Sequence, residues 1–509
     1  MGSFVVNKDR IAKNTIALYL RMAFTMVISF VAARVTLQQL GVDDYGLNNL
    51  VGSIVSLMSF LQTSVGTAIQ RFYSIEIGKG NEEGVRKVFS TGLLIHLLIC
   101  LFSLIVGEVF AVFFLEKMNI PEDRMFAAHV VFQVSVVTML LNIVNIPYSA
   151  LLRAKEQFDK IAIYDVIQAF LRLVILFMLV YVSFDKLILL SFLNFGITLF
   201  YLGAMTHLAL KFKETHCGPS LDKEMAKMMM GFVSMLIIST LSSVAKTKGL
   251  VILVNLFFGL VMNAAYAVAV QVSNMVNTFV LNFKQSMVPQ LMSSYGAGDK
   301  TTMYRIINFG TKITGLLMLF ITLPVIMESE YILKLWLGTP PKYSAELVSL
   351  VLININISSL TFFHYQGIQA TGKITSNQTV LTVLYLLAIG GFYVTFKLGF
   401  GVFSAMYINI GLSVLIVANG LYFSKKRYDY QAFYFIKEIV LKLFTVALIT
   451  IGCLFIITKN MESSFIRLII TFSVSTAMVA LCGYFLLFEG NERVLISDYI
   501  KKIINKRHK

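Results

Sequence analysis

Charge is scarce in this chain. Asp, Glu, Lys and Arg make up 14% of its 509 residues, whereas a soluble domain carries about 25%. That shortfall leaves too little polar side chain to clothe a water-facing surface. Proline is also sparse, at 7, and strand-type alternation of apolar and polar residues is missing, which argues against a β-barrel. The four cysteines, Cys100, Cys217, Cys453 and Cys482, form no C-x-x-C pair, and three lie in apolar runs. They read as small buried hydrophobes rather than metal or redox groups. No P-loop or Walker signature occurs, so ATP is not the direct driver and no cofactor is expected. No loop reaches the size of a catalytic domain; the longest connection is Lys213–Lys227. No paired carboxylates and no Ser-His-Asp pattern can be assembled, so no catalytic residue is assigned.

Acids are outnumbered by bases, 27 to 43, for a net charge of +16. In a soluble protein this balance suggests nucleic acid. Here the bases gather between apolar runs, the pattern that orients a membrane protein, so no nucleic-acid partner is expected. Hydrophobic residues make up 57%, in runs of about 20 that read as bilayer-spanning helices. Fourteen spans are expected, near 15–38, 46–70, 88–115, 125–152, 161–183, 187–211, 229–256, 262–288, 303–327, 345–369, 375–396, 402–423, 433–457 and 465–488. The first is too long for a cleaved signal peptide and holds Arg21 and Arg34. Much the larger share of Lys and Arg falls on the side of the two termini, which places both in the cytoplasm. Trp336 and nearby tyrosines are expected at the outer headgroup level.

The chain is expected to be duplicated. A shift of 218 residues lays Gly41 on Gly259 and Gly78-Lys79-Gly80-Asn81 on Gly296-Ala297-Gly298-Asp299. A shift of 216 lays Arg153-Ala154-Lys155 on Gln369-Ala370-Thr371. Facing six-helix repeats are a transporter architecture with substrate between them. The expected organisation is a six-helix lobe over 1–212, a cytoplasmic linker over 213–228, a second lobe over 229–424, two added helices over 425–488 and a basic cytoplasmic tail over 489–509. The fold class is all-α, polytopic, with two pseudo-symmetric lobes.

Short motifs carry a family resemblance. Leu40-Gly41-Val42-Asp43-Asp44-Tyr45-Gly46 resembles the LG-x-x-x-YG signature of polysaccharide and O-antigen flippases, as does Gln70-Arg71-Phe72. The run from Lys246 to Gly259 is similar to that family's seventh helix, followed by Asn263-Ala264-Ala265-Tyr266, Gln271-Val272 and Pro289-Gln290. These proteins belong to the multidrug/oligosaccharidyl-lipid/polysaccharide exporter superfamily. The resemblance implies a MATE-like fold, alternating access, and translocation of an undecaprenyl-pyrophosphate-linked oligosaccharide across a bacterial cytoplasmic membrane. It implies membrane lipids and the polysaccharide polymerase machinery as partners. Related lipid II flippases use two extra C-terminal helices to form a groove for the lipid tail.

A charge at the bilayer centre costs roughly 2.5–3.5 kcal/mol on insertion scales, so such residues face a cavity or a partner. Five cations lie at that depth: Arg21, Arg172, Lys246, Lys248 and Lys284; Asp165 and Glu108 are the main acids. A cationic interior draws an anion, and a pyrophosphate suits the bidentate Arg and the point charge of Lys. The expected substrate-binding set is Arg21, Arg71, Arg172, Lys246, Lys248, Asn274, Asn277 and Lys284. Each has a structural alternative. Arg21 can snorkel to the surface, Arg71 can anchor at the headgroups, and Arg34 near Asp43 and Asp44 reads as an ion pair. Asp165, Gln168 and Arg172 share a stripe, read either as a neutral network or as an ion-coupling site on Asp165. Lys246 shares a stripe with Ser239, Ser242 and Ser243, while Lys248 points roughly opposite. The eighth span carries Gln271, Asn274, Thr278, Asn282 and Gln285 on one face, and Ser273, Asn277 and Lys284 on another. Such a helix cannot turn either face to lipid; it lines a water-filled cavity or bonds to its neighbours. A narrower stripe, Ser135, Thr138, Asn142 and Asn145, precedes Pro147. His96, His129 and His364 read as satisfied core groups.

Two other functions compete. A multidrug and toxin extrusion antiporter has the same topology but usually places an acid near its first helix, where this chain has Arg21. A membrane glycosyltransferase needs the long loop that is missing.

Overall fold

The computed structural model describes residues 59–114, 122–182, 184–490 and 492–493, with scattered positions between 19 and 51. Most of the first two expected spans, with Arg34 and Asp43, and the tail beyond 493 lie outside the described residues. Among the described residues there is no strand, and eleven helices are long and apolar enough to cross a membrane. The chain is an all-α polytopic membrane protein.

Ser59–Gly78 forms α1, Glu82–Phe114 α2, Met125–Ala154 α3, Phe158–Met178 α4 and Lys186–Ala209 α5. Asp185 starts α5 by accepting from the Ile188 N–H at 3.0 Å, which satisfies one of the orphan donors of the first turn. Lys223–Gly296 is α6, capped by Asp222 on the Met225 N–H at 2.9 Å. Gly259 divides α6 into two limbs with φ 76 and ψ −175, a conformation reserved for glycine. The eighth expected span is the second limb, helical but not among the eleven. Then follow Lys300–Met327 (α7), the short Ser329–Leu337 (α8), Ser344–Ser359 (α9), Phe362–Thr371 (α10), Thr375–Lys397 (α11) and Phe403–Tyr428 (α12). Ala432–Asn460 (α13) and Phe465–Leu487 (α14) follow, each carrying a π-turn. Both pack on α7.

The helices form two units. Unit 1 holds 1–241 and 285–299, and unit 2 holds 242–284 and 300–509. The segment 213–228 falls within unit 1. In unit 1, Val131, Phe132, Val136, Met139 and Ile143 of α3 centre an apolar core. In unit 2, both limbs of α6 supply the core, with Leu250, Val254, Ala265, Tyr266 and Ala269 packed among α9, α11 and α12.

The duplication is visible in two helix ends. Where α1 stops, the N–H groups of Lys79, Gly80 and Asn81 donate to the carbonyls of Ile75, Ile77 and Glu76. Where α6 stops, Ala297, Gly298 and Asp299 donate to Ser293, Tyr295 and Ser294. Every pair is displaced by the same 218 residues. Gly80 and Gly298 both take left-handed φ, at 68 and 76, as this helix stop requires. The two ends also touch reciprocally. A Cβ on Gly78 would meet the Ser293 backbone, and one on Gly296 the Ile75 backbone. The 216-residue shift has its own signature: Glu156 ends α3 at φ 58, and Gly372 ends α10 at φ 73.

Candidate functional site

Each unit carries a polar cluster. In unit 1, the Arg21 guanidinium donates to Asp165 of α4 at 2.8 Å, and the Tyr201 hydroxyl of α5 donates to the other Asp165 oxygen at 2.7 Å. Arg153, near the end of α3, lies in electrostatic reach of Asp165, Tyr201 and Arg21, and donates to Ser149 at 3.2 Å. Asp165 is thus engaged by Arg21, 144 positions away, rather than by Arg172 on its own stripe. Arg172 is exposed and has no ion pair among the described residues. Arg71 is buried, its guanidinium 4.7 Å from the Phe72 ring and 4.8 Å from the Phe232 ring. Glu108 accepts from Gln133 at 3.0 Å.

In unit 2, Lys246 donates to the Asn409 amide oxygen at 3.2 Å and lies 5.7 Å from the Tyr385 ring. Asn354 of α9 accepts from Ser413 at 2.7 Å, and Ser413 is one helical turn beyond Asn409 on α12. Lys284 is buried against the Phe362 ring at 5.2 Å. Among the described residues no carboxylate pairs with Lys246 or Lys284. Lys248 is exposed. The second limb of α6 separates its polar residues: Gln271, Asn274 and Thr278 are exposed, while Ser273 is buried and accepts from the Asn277 amide at 3.4 Å. Asn282 is buried and donates to the Thr278 carbonyl at 3.3 Å.

Sequence reasoning passes over several charged residues. Arg124 bridges Asp44 at 2.6 Å and Asp185 at 2.7 Å. Lys312, fully buried in α7, pairs with Glu492 at 2.8 Å. Arg467 of α14 pairs with Glu328 at 2.6 Å. Arg153 and Lys155 entered the 216-residue shift but gave no functional signal, because basic residues are ordinary at a helix C-terminus. Tyr201 is one aromatic among many in an apolar helix. His96 and His364 are buried, with ring nitrogens on the Gly92 carbonyl at 2.6 Å and the Ser424 hydroxyl at 3.1 Å.

A family model described as MatE matches residues 17–182. A comparison with curated proteins found no match. Among solved structures, a MATE protein in the bent conformation superposes with TM-score 0.73 at 12% identity, covering 82% of this chain and 96% of that one. A MOP superfamily transporter from Pyrococcus furiosus, described as having a binding pocket of reverse polarity that suggests a different function, gives 0.70 at 13%, covering 82% and 95%. A multidrug resistance MATE family transporter of the MOP superfamily, in its outward-facing conformation, gives 0.69 at 13%, again covering 82% and 95%. Over more than four fifths of its length the chain therefore has the fold of the MATE transporters.

Proposed function

We propose that this protein is a flippase that carries a bulky anionic lipid-linked sugar, an undecaprenyl-pyrophosphate oligosaccharide, across the bacterial cytoplasmic membrane by alternating access. It is a transporter rather than an enzyme, and serves surface polysaccharide assembly. The observation that carries this reading is the charge balance inside unit 2. Lys246 and Lys284 are partly or fully buried, and among the described residues neither meets an acid. Removing an ammonium from water costs several kcal/mol. The rings of Tyr385 and Phe362 return about 0.5–2 kcal/mol each, and the Asn409 amide about 1.5–3. The remaining deficit favours an anion as the missing partner. The exposed Gln271, Asn274 and Thr278 face supports the same reading. The Thr278 hydroxyl already donates to the Asn274 carbonyl at 2.8 Å, but hydrocarbon would leave the Gln271 and Asn274 amides unpaired, whereas water and sugar hydroxyls satisfy them.

A multidrug antiporter is the second reading, favoured by the fold shared with a multidrug resistance transporter. The Pyrococcus furiosus protein, described as reversed in pocket polarity, supports the idea that one fold serves cargoes of opposite charge. Proteoliposome assays separate the two. A fluorescent pyrophosphate-linked oligosaccharide should change leaflet in vesicles holding the full chain, and Lys246→Ala or Lys284→Ala should slow it at least tenfold, about 1.4 kcal/mol. Gradient-driven ethidium movement without lipid movement would overturn the flippase reading.

A further inference from the structure

The unit 1 cluster has no residue in common with the lysine sites of unit 2. Arg21 pairs with Asp165, which the Tyr201 phenol also holds, and among the described residues a second guanidinium, Arg153, lies in electrostatic reach of all three without an ion pair to Asp165. With Asp165 ionised, the cluster keeps an excess positive charge. A purely structural ion pair has no use for a second guanidinium, because the two cations repel. The pair is also reachable: the Arg21 and Asp165 side chains are 26% and 20% exposed. Tyr201 holds the second Asp165 oxygen, which keeps the carboxylate beside Arg21 in competition with an incoming anion.

We propose that Asp165 is the resident counter-ion of an anion site built on Arg21 and Arg153, displaced by the pyrophosphate of the cargo and restored when the cargo leaves. This rests on the anionic-cargo reading above and deepens it. A dianion spans both guanidiniums with bidentate hydrogen bonds, which a single carboxylate held by Arg21 and Tyr201 does not do. Asp165 keeps the empty site from holding a released anion too tightly. Binding that is uniform and tight lowers KM without speeding turnover, so a competing internal acid favours release.

The test is equilibrium binding of geranyl pyrophosphate, with geraniol as the uncharged control, to the full chain in lipid nanodiscs. Asp165→Asn removes the competitor, and the variant should bind geranyl pyrophosphate roughly tenfold tighter or more, the scale of one part-buried charge pair. Geraniol binding should not change. Adding Arg21→Gln should cancel the gain. Tyr201→Phe, a gentler change, should bind several-fold tighter and carries the test if the Asn variant does not fold. A role in packing alone would lower the unfolding temperature and leave affinity unchanged or weaker. A folded Asp165→Asn or Tyr201→Phe variant with no gain overturns the proposal. If affinity nevertheless falls in Lys246→Ala and Lys284→Ala, the anionic-cargo reading survives that failure. If no form binds geranyl pyrophosphate, both fall.

Discussion

Breaking one buried ion pair is a severe perturbation, and Arg467 with its partner Glu328 supplies the case. It is 9% exposed and Glu328 only 1%. Thr471 donates to the second Glu328 oxygen at 3.0 Å, and Arg467 also donates to the Met461 carbonyl at 2.9 Å. Removing one member of a buried pair costs about 3–5 kcal/mol, more than removing both. Arg467→Leu should therefore lower the unfolding temperature sharply in detergent, and Glu328→Gln in the same chain should recover part of the loss. A double variant less stable than the single would contradict this. Glu214 behaves differently, lying outside the spans. Burial works to raise its carboxyl, but the Lys155 ammonium at 2.6 Å and a backbone N–H outweigh that and hold it below the usual carboxylate value. A depressed folded pKa adds stability above the unfolded value and loses it as pH falls through the folded one. Acid unfolding should set in below about pH 4.5, and Lys155→Met should flatten that acid limb; identical limbs in the two proteins would refute the assignment. None of these pairings was legible, because their partners are 59 and 139 positions apart and each charge sits at a helix end, where charges are unremarkable.

At the scale of helices, the ends of α1 and α6 show what repetition preserves. Gly78 and Gly296 are glycines because each lies against the other repeat's backbone, and Gly80 and Gly298 because φ is positive. The two requirements predict different outcomes. Gly78→Leu and Gly296→Leu must separate two backbones, and each should abolish the monodisperse peak in size-exclusion chromatography. Gly80→Ala has open space around its Cβ and costs only backbone strain, about 1–2 kcal/mol for an L-residue at left-handed φ; a monodisperse Gly78→Leu protein would show that the contact is dispensable. The 218-residue offset was readable from the chain because both requirements act on glycine itself. The second limb of α6 was readable for a related reason. Polar residues on two faces of a helix need water or a partner; here Gln271, Asn274, Thr278 and Gln285 of one face are exposed while Asn282 is buried, and on the other face Ser273 and Lys284 are buried and Asn277 half-buried. Which residues are covered was not readable, since it depends on α9 to α12.

At the scale of the molecule, the excess of Lys and Arg on one set of loops is the observable that sets orientation. Reporter fusions check it. Green fluorescent protein joined after residue 509 should fluoresce, and alkaline phosphatase at the same place should be inactive; active phosphatase would reverse the topology. The last two helices belong to unit 2. Two ion pairs hold the end of the described chain against α7: Arg467 of α14 with Glu328, just past α7, and Glu492, beyond α14, with Lys312 of α7; Glu328 and Lys312 are 16 residues apart, about 24 Å along a helix.

The chain's own pattern of apolar runs, basic loops and repeated glycines was enough to establish a helical membrane protein built twice over. These are local or periodic properties, set by the bilayer and by backbone geometry. The choice of partner for each buried charge belonged to the tertiary structure: Asp165 went to Arg21 and Tyr201 instead of Arg172, and Lys246 to an amide instead of an acid. Electrostatic pairing is decided by distance through space, and a helix stripe constrains only the residues of its own helix.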